Sequence, residues 1–317
     1  MNTQTQRLPN LDVLVPYFGT VLLILGGSHF FPQILGFDYL AQQLQIAAFL
    51  GLLALGATLV ILLGHIDLSV PWVLGGAAIL STSLVGSGNP ALAALAIPAA
   101  LIFGALVGVI NGIGVAILRI PSMVWTLAVN SMLLGVAVLN TGGFNPKGEA
   151  SNTMIWLATG KVVGIPAAFV VWMTVTCAMA LLLKRSGFGR YLSAIGYNEK
   201  ATFLSGVSTP SVIFAAFAIA GVCSAMGGVL LAGYANQAYQ SMGDTFLLPT
   251  IAAVVIGGTS ILGGRGSLIG TVGGVLFITL LTSILSVMQI SDAWRNIIFG
   301  LIIIVMLLLQ TLRKKGA

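Results

Sequence analysis

Asp67 is the charged residue whose position most invites a chemical role, because it lies between two long apolar runs. A carboxylate in such surroundings can hold a proton or a cation, or it can cap the start of a helix. Pro71 would lie in the first turn of that helix, and no further acidic residues accompany Asp67, which favours the cap. Asp244 precedes a helical run from Thr245 onward and is likewise interpreted as an N-terminal cap.

Sequence motifs for enzymatic, metal and nucleotide chemistry are absent. The segment Gly258–Arg265 has the glycine spacing of a phosphate-binding loop but lacks its Lys-Ser/Thr pair. The zinc-protease and serine-hydrolase motifs HExxH and GxSxG do not occur. His29 and His65 lie in different apolar runs without a nearby cysteine. The sequence therefore predicts no catalytic residue, no metal and no cofactor bound by this chain.

Composition narrows the class of protein further. Of 317 residues, 58% are hydrophobic and 6% are charged, whereas a soluble domain has about 25% charged residues. The chain is therefore predicted to be a polytopic membrane protein whose first partner is the lipid bilayer. Its net charge of +6 comes from basic residues at the ends of apolar runs, so a nucleic-acid partner is not expected.

Charge-free stretches give the number of spans, because a helix needs roughly 20 apolar residues to cross a bilayer and charges are costly at mid-membrane. One span is predicted in each stretch except 68–118, which is long enough for two and has a Gly-Ser-Gly-Asn-Pro turn signal at 86–90. The stretches are 13–37, 39–66, 68–118, 120–146, 162–183, 201–243, 245–264, 266–291 and 296–312. The sum is an all-α integral membrane protein of about ten helices.

The distribution of basic residues gives the orientation. With the N-terminus inside and alternating spans, Arg7 and nine other Lys and Arg residues lie inside, and only Lys147, Lys161 and Arg295 lie outside. This bias agrees with the positive-inside rule and predicts both termini inside. The longest connections are an inner one at 184–209 and an outer one at 142–163, so residues 1–317 form one membrane domain.

Glycines mark two further features. Two series at a spacing of four predict close helix packing through small residues: Gly104, Gly108 and Gly112, and Gly266, Gly270 and Gly274. In addition, Pro249, Gly257 and Gly258 permit a break in the short stretch 245–264. We expect a broken or re-entrant helix near 245–262, acting as a gate or as a wall of a path.

Three segments together resemble one family. They are Ala57–Ile61 with Ile66–Val70, Gly187–Tyr191 with Ala194–Ala201 and Ser205–Val207, and Ile251–Ser260 with Gly263–Thr271. In these segments the chain resembles the membrane permease subunits of bacterial ABC importers of the ribose, xylose, arabinose and autoinducer-2 type, over nearly its whole length. The family pattern usually has glycine where this chain has His65 and Pro71.

The resemblance implies a non-catalytic subunit that forms the translocation path for a monosaccharide or a similar polyol-like solute. It also implies a second permease subunit, identical or closely paralogous, and two ATP-binding subunits on the cytoplasmic side, which bind ATP and Mg. A periplasmic binding protein would deliver the sugar. The expected location is the bacterial inner membrane.

Within this resemblance, the inner connection 187–208 is expected to couple ATP hydrolysis to transport. Asn198 can cap a short helix that begins at Glu199, and Gly206 can end it. Such a helix could fit a groove in the ATPase. The candidate coupling residues are Arg190, Tyr197, Asn198, Glu199, Lys200, Phe203 and Gly206. The alternative is a charged loop that only fixes topology.

A hydroxyl-rich solute requires hydrogen-bonding side chains and an aromatic face along its path. Thr126 and Asn130, four residues apart, can share a helix face. The candidate path residues are Asn111, Trp125, Thr126, Asn130, Asn140, Phe144 and Gln237. For each of them, hydrogen bonding between helices or placement at the membrane interface is the alternative interpretation.

Three other functions remain open on the sequence alone. An ion-coupled carrier usually has several acidic residues or histidines in its spans, which are scarce here. An intramembrane enzyme needs paired catalytic groups, and a channel needs a pore-lining ring, which oligomerisation could supply.

Overall fold

The structure, a computed structural model, describes residues 11–144, 146 and 148–315. Fourteen α-helices occur in this part of the chain: α1 Leu11–Phe30, α2 Phe37–Leu62, α3 Val70–Gly86, α4 Pro90–Ala94, α5 Ala96–Ala116, α6 Ser122–Thr141, α7 Asn152–Thr159, α8 Ala167–Arg185, α9 Gly187–Tyr197, α10 Glu199–Leu204, α11 Thr209–Ala235, α12 Leu247–Ile256, α13 Leu268–Val287 and α14 Asp292–Lys315. Two 3-10 turns, Pro32–Leu35 and Asp244–Phe246, and an antiparallel pair, β1 Lys161–Val162 and β2 Ile165–Pro166, complete the elements.

The predicted all-α membrane fold is confirmed. Seven of the described helices are long and apolar enough to cross a membrane: α1, α2, α5, α6, α8, α11 and α13. The shorter apolar α3 and α12 and the 24-residue α14 occupy the three remaining predicted stretches. Arg7 and Lys147, which were counted in predicting the orientation, lie outside the described residues.

Helices α2 and α11 form the centre of the bundle. Both are apolar around their whole circumference, which is the pattern of a helix enclosed by other helices. Helix α11 packs on α2, α3, α5 and α7. The helices α1, α6, α8 and α14 lie at the periphery and present exposed apolar side chains, such as Phe18, Leu139 and Leu308, as a lipid-facing helix does.

Both predicted glycine series lie at helix contacts. A methyl group on Gly104 or Gly108 would overlap the carbonyl oxygens of Gly221 and Phe217 in α11, and Gly112 faces Phe214 of the same helix. The second series packs α13 onto α12 and its following loop, with Gly270 against Gly257. The backbones therefore approach too closely for any other residue.

Helix α12 is a short helix of 10 residues, so 245–262 is broken as predicted. The break takes the form of one short helix followed by an irregular loop, 257–267. Pro249 lies in the first turn of α12, where its missing N–H costs nothing, and it does not form the break. The break comes at Gly257 and Gly258, the latter with φ +85°.

Helix α3 also begins inside the bundle. The backbone of Gly243, just before the 3-10 turn that leads into α12, presses against the carbonyl of Pro71 in the first turn of α3. Asp244 starts that 3-10 turn and makes no side-chain cap, so the predicted capping role of Asp244 is wrong. Asp67 is not itself the N-cap of α3, a position held by Ser69, but its carboxylate accepts hydrogen bonds from the Ser69 N–H at 2.8 Å and Oγ at 2.6 Å.

The described parts of the two long connections contain several regular elements. The inner one, 184–209, consists largely of α9 and α10, and the outer one, 142–163, contains α7 and β1. We call the end of the bundle that carries α9 and α10 the inner end. The opposite, outer end gathers the ends of α3, α6 and α11, where Gln240 donates to the Thr141 hydroxyl at 2.8 Å.

Candidate functional site at the inner end

Short-range capping produces the two helices of the inner end. The Ser186 hydroxyl accepts the N–H of Phe188 at the start of α9. Asn198 then ends α9 and caps α10, with its Oδ1 3.0 Å from the N–H of Ala201. Gly206, at φ +88°, takes the left-handed conformation that follows the end of α10. The predicted local structure around Asn198 and Gly206 is therefore present.

Helix α10 exposes two large apolar side chains at the inner end, which we call the α10 projection. Phe203 is 60% exposed and Leu204 is 84% exposed. Lys200 of α10 and Arg190 and Tyr197 of α9 are also exposed. The sequence analysis missed Leu204, although it is the second of two adjacent apolar residues in a short helix next to charged residues. Large apolar groups exposed outside the lipid belt mark surfaces for protein partners.

Glu199 is partly buried and makes two contacts to neighbouring elements. It forms an ion pair with Arg119 in the α5–α6 connection, and the Thr209 hydroxyl donates to it at 3.4 Å. Glu199 therefore links the start of α10 to the α5–α6 connection, and 30% of its side chain remains exposed.

Four glycines from three distant segments meet beneath α9. We call this set, Gly64, Gly196, Gly263 and Gly264, the glycine junction. The Gly264 N–H donates to the carbonyl of Leu62 at 2.9 Å. A methyl group on Gly196 would overlap both atoms of that bond, and one on Gly263 would come within 2.8 Å of the Gly64 nitrogen. The ends of α2 and α9 and the loop 257–267 thus touch through their backbones.

A side-chain pair covers the glycine junction. Arg265 Nε donates to the Tyr197 hydroxyl at 2.6 Å, and the guanidinium carbon lies 5.7 Å from the centre of the Tyr197 ring. Sequence analysis identified Tyr197 but not Arg265, and it described Gly257 and Gly258 only as parts of a membrane gate. The structure shows that the loop following them belongs to the inner end, against α9.

A second group of polar contacts holds the linker between α2 and α3, residues 63–69, and the first turn of α3. The backbone N–H groups of Ile66, Leu68 and Trp72 donate to side chains of α6 at 3.3, 2.9 and 3.3 Å. The three acceptors, spaced one turn apart along that helix, are Ser122, Thr126 and Asn130. For Ile66 and Leu68 the bond satisfies a backbone N–H that lies outside any helix or sheet. The Trp72 N–H also donates to the Ser69 carbonyl at 3.1 Å.

Asn111 of α5 supports the same linker from the other side. Its Nδ2 donates to Ser69 Oγ at 2.8 Å, and that hydroxyl donates in turn to Asp67. The structure therefore brings Asn111, Thr126 and Asn130 together, as members of a hydrogen-bonded support for the linker. Trp125 points elsewhere and donates from Nε1 to the Ile110 carbonyl at 3.1 Å.

The remaining path candidates lie at the outer end. Asn140 and Phe144 line an open hollow of about 420 Å³ together with Ser83 and Thr141. Gln237 is exposed, and its backbone forms an isolated bridge with Glu149. Of the seven candidates, Asn111, Thr126 and Asn130 therefore lie around the linker and the start of α3, Trp125 contacts α5, and Asn140, Phe144 and Gln237 lie at the outer end.

Replacing Thr126 by valine tests the support of the linker. Valine keeps the volume but leaves the N–H of Leu68 without its acceptor inside the bundle, so we expect a loss of about 1–3 kcal/mol in stability. The control is Thr174→Val on the exposed face of α8, where the hydroxyl only donates back to the Val170 carbonyl. The thermal unfolding midpoints of both purified variants in detergent provide the measurement. Equal midpoints would contradict a supporting role for Thr126.

Comparison with known proteins places these features in a family. A family described as "Branched-chain amino acid transport system / permease component" matches residues 39–307. The ribose import permease RbsC of Bacillus subtilis (strain 168) is 34% identical over 308 residues, covering 97% of this chain and 94% of its own. The RbsC of Haemophilus influenzae is 33% identical over 296 residues, covering 92% and 91%.

A relative named for another solute has a similar sequence identity to this chain. The autoinducer 2 import system permease LsrC of Escherichia coli (strain K12 / DH10B) is 34% identical over 302 residues, covering 95% of this chain and 87% of its own. No solved structure matches the chain. With a family match over most of its length and relatives above 30% identity along nearly all of it, the chain belongs to the branched-chain amino acid transport system / permease component family.

Proposed function

We propose that this chain is the membrane permease subunit of an ABC importer and forms the translocation path for a monosaccharide or a similar polyol-like solute. The family description mentions branched-chain amino acids, whereas the relatives that match along the whole chain are named for ribose and autoinducer 2 import. Likeness over the whole chain favours the second group of solutes.

The exposed surface of α9 and α10 is the observation that carries the proposal. Exposed apolar side chains, Phe203 and Leu204, and exposed cations, Arg190 and Lys200, on two short inner-end helices have the chemistry to fit a groove on another protein. In this proposal that protein is the ATP-binding subunit. ATP and Mg are bound there, ATP is hydrolysed there, and this chain performs no catalysis.

The proposed assembly contains further subunits. Two permease subunits, identical or closely paralogous, span the bacterial inner membrane, and two ATP-binding subunits dock on their cytoplasmic face. A periplasmic binding protein delivers the solute to the outer end. The residues proposed for coupling are those exposed on α9 and α10. Asn140, Phe144 and Gln237 are proposed as early contacts of the solute, because they lie exposed at the outer end.

Reconstitution into proteoliposomes tests the proposal. We expect the permease with its ATP-binding subunit and loaded binding protein to take up labelled monosaccharide only when ATP is supplied. Collapse of the proton gradient with an uncoupler should leave that uptake unchanged. Uptake that persists without the ATP-binding subunit would refute the importer and favour a channel or a carrier. Uptake that collapses with the proton gradient while ATP remains would favour an ion-coupled carrier.

A further inference from the structure

The loop 257–267 joins the inner-end helices to the buried part of the bundle. At its inner side it meets α9 through the glycine junction and through Tyr197 and Arg265. It holds its own shape by a bond from the Ser260 N–H to the Arg265 carbonyl at 2.8 Å and one from the Gly263 N–H to the Ser260 carbonyl at 3.0 Å. A loop closed in this way moves as one piece.

The same loop is continuous with α12 and α13. The Ser267 hydroxyl caps α13 by accepting the N–H of Gly270 at 3.2 Å. Gly257 and Gly270 then pack backbone against backbone, which fixes the end of α12 to the start of α13. The hydroxyl of the next residue, Thr271, lies 3.0 Å from that of Thr58 in α2. The loop therefore connects α9 to α2, α12 and α13.

Contacts between backbones transmit displacement better than contacts between flexible side chains, because close-packed interiors are hardly compressible. At the glycine junction no side chain separates α9 from the end of α2 or from the loop. Arg265 adds a charge-assisted hydrogen bond and a cation–π contact to Tyr197, so α9 cannot slide over the loop without losing both.

We propose that the Tyr197–Arg265 pair and the glycine junction transmit displacement of α9 and α10 to α12 and α13. The ATP-driven motion at the inner end thereby moves the short buried helix α12. This inference rests on the proposed importer function. It makes Arg265 and Tyr197 positioning residues, which hold the coupling helices in register with the membrane helices. Movement of α12 then displaces Gly243, which precedes it, relative to Pro71 at the start of α3.

The test compares uptake with ATP consumption in proteoliposomes that contain the ATP-binding subunit and the binding protein. In Arg265→Ala both contacts to Tyr197 are lost, and we expect uptake per ATP hydrolysed to fall about tenfold while ATP hydrolysis continues. Tyr197→Phe removes only the hydrogen bond and should lower the same ratio about threefold. Arg265→Lys retains a donor and a positive charge and should restore part of the loss.

Arg185→Ala serves as the control, because it removes the same side chain from an exposed position at the end of α8. It should keep the wild-type ratio. If wild-type protein fails to import, the proposed function fails whatever the variants do. If wild-type protein imports and both Arg265→Ala and Tyr197→Phe keep its ratio, the inference is overturned while the function stands.

A second readout separates transmission from docking. Co-purification of the ATP-binding subunit with Arg265→Ala should equal that with the wild-type chain. Loss of co-purification together with uptake would assign Arg265 to the docking surface and overturn the inference. Should Arg265→Ala not yield folded protein by size exclusion, Tyr197→Phe decides the question alone, because it removes a single oxygen from an exposed side chain.

Discussion

Replacing Gly108 by alanine is expected to destabilise the bundle more than any other single-methyl change proposed here. The added methyl group would overlap the carbonyl of Phe217 and lie 2.7 Å from the Cα of Ala218. Both are backbone atoms that cannot rotate away, so α5 and α11 must separate along their contact. We expect a loss of about 3 kcal/mol, at the upper end of the usual cost of overpacking.

Gly135→Ala provides a matched control for this change. Gly135 also lies within a long helix, α6, but no atom comes within 4 Å of a methyl group placed there. Alanine should therefore be neutral or slightly stabilising at that position. Unfolding midpoints from tryptophan fluorescence would compare the two proteins. Similar midpoints for Gly108→Ala and wild type would show that α5 and α11 do not pack as described.

Replacing Phe203 by aspartate is expected to abolish ATP-dependent uptake, with the largest functional effect of the variants considered. The side chain is the main aromatic part of the α10 projection, and a charge there cannot enter an apolar groove without losing its hydration. Loss of such a central aromatic anchor costs about 2–4 kcal/mol of binding, or roughly 30- to 1000-fold in affinity. Co-purification of the ATP-binding subunit and uptake should fall together.

Val163→Asp is the control for Phe203→Asp. Val163 is 97% exposed in the turn between β1 and β2, at the outer end, and its positive φ of 51° is one that aspartate tolerates. The same polar replacement there should leave binding of the ATP-binding subunit unchanged. Undiminished co-purification with Phe203→Asp would rule out α10 as the docking element.

The helices were predictable because their cause is local. Charges such as Asp38, Asp67 and Arg119 cannot remain within hydrocarbon, so the gaps between them bound the spans. The spacing of Gly104 and Gly108 also indicated a close helix contact before any partner was known. The helix α10 followed from Asn198 and Gly206, whose capping geometry depends only on neighbouring residues.

The candidate sites could not be predicted in full, because they depend on contacts between residues that are far apart in the sequence. Tyr197 and Arg265 are 68 residues apart, and only the folded positions of α9 and the loop 257–267 bring them together. Thr126 and Asn130 were correctly expected to share a helix face. Their partners, however, are backbone N–H groups, of Leu68 in the linker between α2 and α3 and of Trp72 in the first turn of α3, which have no side-chain signature in the sequence.

The linker between α2 and α3 also constrains the order in which this protein can be assembled. The N–H groups of Ile66 and Leu68 find their acceptors 56 and 58 residues later in the chain, on α6. At ribosomal elongation rates that distance takes about 3–12 s to synthesise. Until α6 emerges, only water can satisfy those amides, because hydrocarbon offers no acceptor. The hairpin of α2 and α3 therefore reaches its final depth in the bilayer only after α6 has been inserted beside it.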